Sequence, residues 1–322
     1  MQIKALGLFF TLILAMASLS VQAQEYPYKQ PVKIIVPVPA GSTSDTVYRL
    51  VATELQKSMG GIFIVENRPG QGSLLGVTQG MKSPPDGYTL IQTSAATMSL
   101  APWTNKTLPF DPLNDFVHIG KWIEAGFLLA VRPTLKVKNL QEFIAYAKEN
   151  PGKLAYGYGT VSTQLSATLF SSMAGITTLG VPYKGQPPAM IDLIGDRLHF
   201  MFVDLPAAAP YLASGQLQAL GMTSATRSVF MPNLPTLAEQ GFPDYEVTAW
   251  IGLAAPRGTP LAIVERLNME SRKILARPDI RSKIESIGFD VRTNSLSEHN
   301  LFVKTMLVKY EKIIKEAGVK PQ

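Results

Sequence analysis

The sequence predicts an α/β protein made of two lobes, and the alternation of apolar runs along the chain is the first reason. Short β-branched runs such as "VKIIVPV" (32–38) and "LHFMFVDL" (198–205) alternate with amphipathic stretches such as "NLQEFIAYAKEN" (139–150). A strand–helix order repeated in this way is typical of mainly parallel sheets flanked by helices. We therefore expect each lobe to contain such a sheet.

Two similar strands that end in proline are the second reason, because they flank a central block of the chain. They are "FLLAVRP" (127–133) and "TAWIGLAAP" (248–256). If both strands cross between lobes, residues 126–249 form an inserted second domain. Residues 24–125 and 250–322 then form the first domain, on which the C-terminal helices pack back. The two crossings predict a cleft that closes by a hinge motion.

The N-terminus has the pattern of a secretory signal peptide over residues 1–23. "MQIK" is positively charged, "ALGLFFTLILAMASLSV" is apolar, and "VQA" supplies small residues before the cleavage point. The apolar stretch is shorter than the ~20 residues that a membrane span needs. A mature, secreted chain is expected to begin near residue 24.

Composition excludes several classes of protein. Of 322 residues, 46% are hydrophobic and 17% charged, as in a globular protein with a large core. The chain has no cysteine, which excludes thiol catalysis and sulfur-ligated metals. The net charge of +6 is dispersed, and the basic C-terminal stretch "VKTMLVKYEKIIKEAGVK" alternates acids with bases. A solvated helix face is the better interpretation, so no nucleic-acid partner is predicted.

A hydroxyl-rich stretch at the start of a helix is the first candidate binding site. In "IIVPVPAGSTSD" (34–45) a strand ends, Gly41 permits a sharp turn, and a helix begins near residue 45. The unpaired N–H groups of a helix start attract anions without any basic side chain. An ordinary helix cap, which Ser, Thr and Asp all favour and which Asp45 could supply, is the alternative. The candidate residues are Pro39, Ala40, Gly41, Ser42, Thr43 and Asp45.

The same arrangement returns in the central block. "YGYGTVSTQLSA" (156–167) again passes from a strand through glycines and hydroxyls into a helix. Two such helix starts facing each other across a cleft would hold one small carboxylate. Four or five hydrogen bonds to a charged group, at ~1.5–3 kcal/mol each, suffice for micromolar binding, which needs about 8 kcal/mol. The candidates are Tyr158, Gly159, Thr160, Val161, Ser162, Thr163 and Gln164.

Other polar and aromatic residues are candidates for lining the cleft. Thr93 and Ser94 close a strand, where ligands of α/β proteins bind. Asp204 precedes a proline and would either cap a helix or face the ligand, where it would attract an amine or repel a second carboxylate. Tyr158 and Trp250 would stack on an aromatic ligand or simply pack. Tyr183, in "VPYK", completes the set.

Nucleotide binding and catalysis find little support. "PGQGSLLG" (69–76) has the spacing G-x-G-x-x-x-G, which differs from the dinucleotide fingerprint. His118, His199 and His299 have no metal-type spacing, and neither G-x-S-x-G nor H-E-x-x-H occurs. No cofactor or metal is predicted. A secreted hydrolase with a dispersed Ser–His–Asp site stays open as an alternative.

Several segments together resemble a known family. They are "YPYKQPVKIIVPVPAGSTSD", "VENRPGQGSLLG", "PPDGYTL", "LPFDPLNDF", "VPYKGQPPAMIDLIGDRLHFMF" and "LPTLAEQGFPDYEVTAWIGLAAPRGTP". In this order and spacing they are similar to the tripartite tricarboxylate transporter receptors, the Bug-type periplasmic solute-binding proteins.

The resemblance implies a two-lobed Venus-flytrap fold of the type II kind in the periplasm. It implies a monomeric, non-enzymatic receptor that binds a small carboxylate and serves a membrane permease or a sensor. The two ligand-gripping loops of the family map onto Pro39–Asp45 and Tyr158–Gln164. Ser42, Gln164 and Asp204 depart from the family pattern. An aromatic monocarboxylate or an amine-bearing carboxylate therefore stands beside the usual dicarboxylates as a candidate ligand.

Overall fold

The structure is a computed structural model that describes residues 26–183, 185–316 and 321. The side chains of Thr43 and Glu316 are not described. The predicted signal peptide, residues 1–23, lies outside the described part.

Ten strands and ten α-helices are present in the described residues. The first part of the chain contains β1 (Val32–Val36), α1 (Thr43–Met59), β2 (Phe63–Asn67), α2 (Leu74–Met81), β3 (Thr89–Ser94), a π-helical segment (Ala95–Leu100), α3 (Ala101–Thr104) and β4 (Phe116–Val131). The central part contains α4 (Leu140–Glu149), β5 (Leu154–Tyr158), α5 (Val161–Ala174), β6 (Thr178–Pro182), α6 (Gln186–Ile194), β7 (Phe200–Asp204), α7 (Leu205–Ala213) and β8 (Gln218–Met222). The last part contains β9 (Thr248–Pro256), α8 (Leu261–Ala276), α9 (Pro278–Glu285), β10 (Asp290–Val291) and α10 (Leu296–Glu316).

The sheet has two halves that share the long strand β4. The strand order is β2-β1-β3-β9-β4-β7-β5-β6, with β8 and β10 also paired to β4. Residues 116–126 of β4 pair with β9, whereas residues 127–131 pair with β7 and β8. Helices cover both halves. The predicted α/β class and the two-lobed architecture are confirmed.

Strand direction differs between the outer and the middle strands. β1 is parallel to β2 and β3, and β5 is parallel to β6 and β7, as predicted. β4 and β9 are antiparallel to their neighbours and to each other. The middle of the sheet is antiparallel because these two strands pass between the halves in opposite directions.

Helix α1 shows why the first half folds as it does. Val47, Tyr48, Val51 and Leu55 are fully buried and recur at helical spacing, so one face of the helix covers β1. Tyr48 packs against Trp122 of β4, with ring centroids 4.7 Å apart, and donates its hydroxyl hydrogen to the carbonyl of Gly252. Helix α1 is thereby anchored to both long strands.

Helix α10 packs on both halves of the sheet. Val303 joins the cluster that contains Val77 and Ile91 of the first half. Tyr310 joins the cluster of Phe170 and Phe200 in the central part. The C-terminal helices are expected to pack back on the first lobe, and α10, which is 21 residues long, reaches the central part as well. Among the described helices, none has the length and apolar character to cross a membrane.

Candidate functional site

The first loop is held by its own hydrogen bonds. Ser42 is the N-cap of α1, and its Oγ accepts the N–H of Asp45 at 3.3 Å. The backbone of Gly41 is left-handed, at φ 79°, as the predicted sharp turn requires. Pro39, Ala40 and Gly41 are exposed. The loop lies at the carboxyl end of β1.

Asp45 does not cap the helix, because Ser42 takes the role that the alternative interpretation left open to serine, threonine or aspartate. Its side chain is buried, and Oδ2 accepts the N–H of Gly41 at 2.9 Å and Nε–H of Arg49 at 3.0 Å. Oδ1 accepts a hydrogen of the Asn67 amide at 2.9 Å. Burial opposes ionisation, but the bonds from Arg49, Gly41 and Asn67 outweigh it and lower the pKa of Asp45. Asp45 therefore fixes the loop from inside.

These internal bonds leave few N–H groups free in the first loop. The Gly41 N–H goes to Asp45, and the Ser42 N–H goes to the Pro39 carbonyl at 3.3 Å. The N–H groups of Thr43 and Ser44 lie in the first turn of α1, where no acceptor exists within a helix. The anion-binding capacity of this loop rests on those two groups.

The second loop ends in a reciprocal hydroxyl cap. Thr160 Oγ1 accepts the N–H of Thr163, and Thr163 Oγ1 accepts the N–H of Thr160, both at 3.2 Å. Thr163 is buried, so it supports the loop and does not reach the cleft. The N–H groups of Val161 and Ser162 have no protein partner in the described part of the chain. Ser162 and Gln164 are half-buried.

A third helix start has the same cap. Ser94 Oγ accepts the N–H of Thr97 at 3.3 Å, and Thr97 Oγ1 accepts the N–H of Ser94 at 3.2 Å. This cap opens the π-helical segment after β3. The other predicted residue of β3, Thr93, is fully buried with its hydroxyl unpaired among the described residues. Thr93 faces the interior because neighbouring residues of a strand point to opposite faces.

A cavity of about 190 Å³ lies between two of these helix starts. Val161 from the first turn of α5 lines it, and Ala96 from the π-helical segment lines it from the other half of the sheet. The remaining lining residues are neutral: Gln71, Gly72, Leu74, Leu100, Ala101, Thr104 and Asn105. Val161 thus borders, from the central part of the chain, an open space that is otherwise lined by the first part.

Sequence reasoning missed the segment from Gly70 to Ser73, which borders this cavity. Gln71 has φ 49° and Ser73 has φ 78°. Gly70 and Gly72, which precede them, are also at positive φ. A left-handed residue other than glycine costs about 1–2 kcal/mol, and such strain is concentrated at functional sites. The signal for it in the sequence is "PGQGS" directly after a strand.

Asp204 and Gln186 meet beside the second loop. Asp204 ends β7 and precedes α7, but its side chain makes no cap hydrogen bond. Its N–H donates to Oε1 of Gln186 at 3.1 Å. Burial raises the pKa of Asp204, and the amide of Gln186 offsets this only in part. Asp204 thus occupies the N-cap position of α7 without a capping bond from its side chain. Gln186 is a further residue that sequence reasoning missed.

The three aromatic candidates differ in position. Trp250 is 1% exposed and packs against His299 and Phe302, so it is a core residue and not a stacking surface. Tyr183 donates its hydroxyl hydrogen to Oδ2 of Asp192 at 2.7 Å. Tyr158 is half-buried beside Tyr156, with ring centroids 5.9 Å apart.

The three histidines bond to backbone groups or pack against other rings in the described residues. Nε2 of His118 bonds to the Pro112 carbonyl, and Nδ1 of His199 accepts the N–H of Ala155. His299 lies against His118, with ring centroids 5.6 Å apart. Across the described residues, none of the three imidazoles bonds to a serine hydroxyl. The same part of the chain holds no cluster of acidic and histidine side chains suited to a metal.

Fold and site define the class of protein, a two-lobed α/β protein of the solute-binding kind with two capped helix starts beside a cavity. A model of the tripartite tricarboxylate transporter family receptor matches residues 47–319. The chain therefore belongs to that receptor family.

Relatives of known name and structure agree. Protein BugT of Bordetella pertussis is 30% identical over 303 residues, which cover 93% of each chain. A structure of R. palustris Rpa4515 with adipate is 33% identical, has a TM-score of 0.74, and is matched over 92% of this chain and 100% of that one. MatC of Rhodopseudomonas palustris, solved with bound malate, is 29% identical with a TM-score of 0.68, over 89% and 99% of the chains.

Proposed function

We propose that this protein is a receptor that binds a small organic carboxylate between its lobes and does not transform it. The observation that carries the proposal is the cavity lined by Val161 on one side and Ala96 on the other, at the starts of two capped helices. The relatives solved with adipate and malate support it, since both of those ligands are carboxylates.

The hydrogen-bonding groups at the second loop suit a carboxylate. The hydroxyls of Thr160 and Thr163 are used in the cap, which leaves the N–H groups of Val161 and Ser162 for a ligand. Two charge-assisted bonds contribute ~1.5–3 kcal/mol each, and the positive end of the helix dipole adds to them. The N–H groups of Thr43 and Ser44 in the first loop supply the remaining hydrogen bonds to the carboxylate when the lobes close.

The lobes in this proposal are residues 24–125 with 250–322, and residues 126–249. The change of partner strands along β4 between Gly126 and Phe127 supports this boundary. Closure is a hinge motion at β4 and β9, driven by the better contacts of the ligand in the closed state.

The cellular setting follows from the family. The mature chain, released from its signal peptide after residue 23, acts as a monomer in the periplasm. It delivers its ligand to a membrane permease or reports it to a sensor. It needs no cofactor.

Titration calorimetry with a panel of mono- and dicarboxylates tests the proposal, using the chain from residue 24. Val161→Pro removes one N–H at the first position of α5, where proline fits a helix and Thr160 already has the extended backbone that must precede it. We expect the affinity to fall tenfold or more while the protein stays folded. Leu261→Pro is the matched control, since Leu261 is the exposed first residue of α8. Binding of no organic acid by the wild type, or unchanged affinity in Val161→Pro, would refute the proposal.

A further inference from the structure

Asp204 lies next to the second loop by the register of the sheet. β5 and β7 are parallel, with Tyr156 opposite Phe200 and Gly157 opposite Met201. Continuing this register to the ends of the strands places Thr160 beside Asp204. Neighbouring strands are about 4.8 Å apart, so the start of α5 and the Asp204 carboxyl group belong to one small region.

Gln186 connects these two strand ends. The backbone at Gly159 is so close to that of Gln186 that a Cβ on Gly159 would lie 2.6 Å from the Gln186 nitrogen. The side chain of Gln186 is buried and accepts the N–H of Asp204. Glycine at 159 and the amide of Gln186 therefore bring the α5 loop and Asp204 into one packed unit.

The carboxyl group of Asp204 has no cationic partner in the described part of the chain. Three buried carboxylates have one: Asp45 is paired with Arg49, Glu54 with Lys57 and Arg277, and Glu124 with Lys121. Asp290 is buried without an ion pair, but its Oδ1 accepts the N–H of Val229, whereas the half-buried carboxyl group of Asp204 accepts no backbone N–H in the described part of the chain. A shielded carboxylate without a partner is unfavourable, and proteins retain such groups where a ligand or a reaction uses them. Asp204 stands at the strand ends where ligands of α/β proteins bind.

We propose that Asp204 is the counter-charge for an ammonium group of the ligand, so that the receptor selects small amino carboxylates. This inference rests on the proposed function. The carboxylate of such a ligand lies at the N–H groups of Val161 and Ser162, and its ammonium group, a short carbon chain away, lies at Asp204. A ligand with a second carboxylate at that point would meet a like charge.

Calorimetry on matched ligand pairs tests the inference. The pairs are β-alanine with propionate and 4-aminobutyrate with butyrate, which differ only in the amine. We expect the wild type to bind at least one amino acid tenfold or more tightly than its partner. Asp204→Asn, which keeps the shape and removes the charge, is expected to abolish that preference and leave affinity for the plain acids unchanged or higher. Asp196→Asn, at an exposed turn that favours asparagine, is the control and should retain it.

The outcomes separate the inference from the proposed function. If the wild type binds plain carboxylates and gains nothing from the amine, the inference is wrong while the carboxylate receptor stands. If Asp204→Asn keeps the preference, the inference is also wrong. If no carboxylate binds, both fail. Thermal unfolding checks the fold of Asp204→Asn, and Asp204→Ser serves as a second variant should the first be unstable.

Discussion

The carboxylate of Asp45 accepts the N–H of Gly41 at 2.9 Å, and this bond closes the loop that was expected to offer that N–H to a ligand. Asp45 is in turn held by Arg49 and by Asn67 at the end of β2. The loop is therefore preorganised by a buried acid. The N–H groups of Thr43 and Ser44, in the first turn of α1, are the ones left for a ligand.

Replacing Asp45 by alanine is expected to destabilise the protein by about 2–4 kcal/mol, because three charge-assisted hydrogen bonds are lost in a buried place. Carboxylate affinity should fall as well, since Gly41 is released. Urea unfolding and calorimetry measure the two effects. Glu66→Ala is the control, because the Glu66–Arg68 pair is exposed and should contribute less than about 1 kcal/mol. A loss below 1 kcal/mol for Asp45→Ala would show that the buried network does not hold the loop.

Thr160→Ala removes the hydroxyl half of the cap on α5. We expect a loss of about 1 kcal/mol in the free energy of unfolding, typical of an N-cap, and weaker ligand binding because the first turn loosens. Thr160→Ser keeps the hydroxyl and should behave as the wild type. Equal stability of the alanine and serine variants would show that the reciprocal bonds with Thr163 contribute nothing.

Gln71→Gly tests the strained segment beside the cavity. Glycine adopts φ 49° without penalty, so stability should stay level or rise by up to about 1 kcal/mol. Affinity should fall, because the glutamine side chain that lines the cavity is gone. Lys136→Gly relieves the same kind of strain at φ 56° in a turn outside the cavity, and its affinity should not change. Unchanged affinity in Gln71→Gly would remove this segment from the site.

Stability should decline below about pH 6.5 through His118 and His299. Burial lowers the pKa of His118, and burial, followed by the charges of His118 and Lys121, lowers the pKa of His299 to about 2. The unfolded chain takes up protons below about pH 6.5 while the folded protein does not, so stability present above that pH is lost as the pH falls.

For His299 the expected loss is about 1.4 kcal/mol between neutral pH and pH 5.5, and His118 adds to it in the same direction. Urea unfolding at pH 7.5 and 5.5 measures it. His299→Phe keeps an aromatic ring against Trp250 and Phe302 and should reduce the loss by about 1.4 kcal/mol. An unfolding free energy that is flat over this range would contradict the burial of both rings.

Local patterns were sufficient for most of the fold, and contacts between distant residues account for what they did not predict. Apolar periodicity located the strands and helices, and hydroxyl-rich helix starts located the second loop. The hydrogen bond from Asn67 to Asp45 joins residues 22 positions apart, and no local sequence pattern predicts it. The local sequence around Trp250 does not show that this residue is buried. Its burial depends on α10, which lies about 50 residues further along the chain.

Spacing would have allowed one more prediction. Thr160 and Thr163 stand three residues apart, as do Ser94 and Thr97, which is the separation of a capping box with threonine in place of the usual glutamate or glutamine. The hydroxyls in these stretches are thus structural, and the backbone beside them is what remains for a ligand.

Strand β4 belongs to both halves of the sheet, and its ladder with β9 changes register between His118 and Gly120 and between Lys121 and Ile123. The proposed closure of the lobes would therefore twist a hydrogen-bonded ribbon, since β4 is paired along both halves of the sheet. The elastic energy of that twist makes the free energy of binding less favourable for every ligand. A substitution in the ribbon, far from the cavity, would accordingly shift the binding strength for all ligands by the same factor.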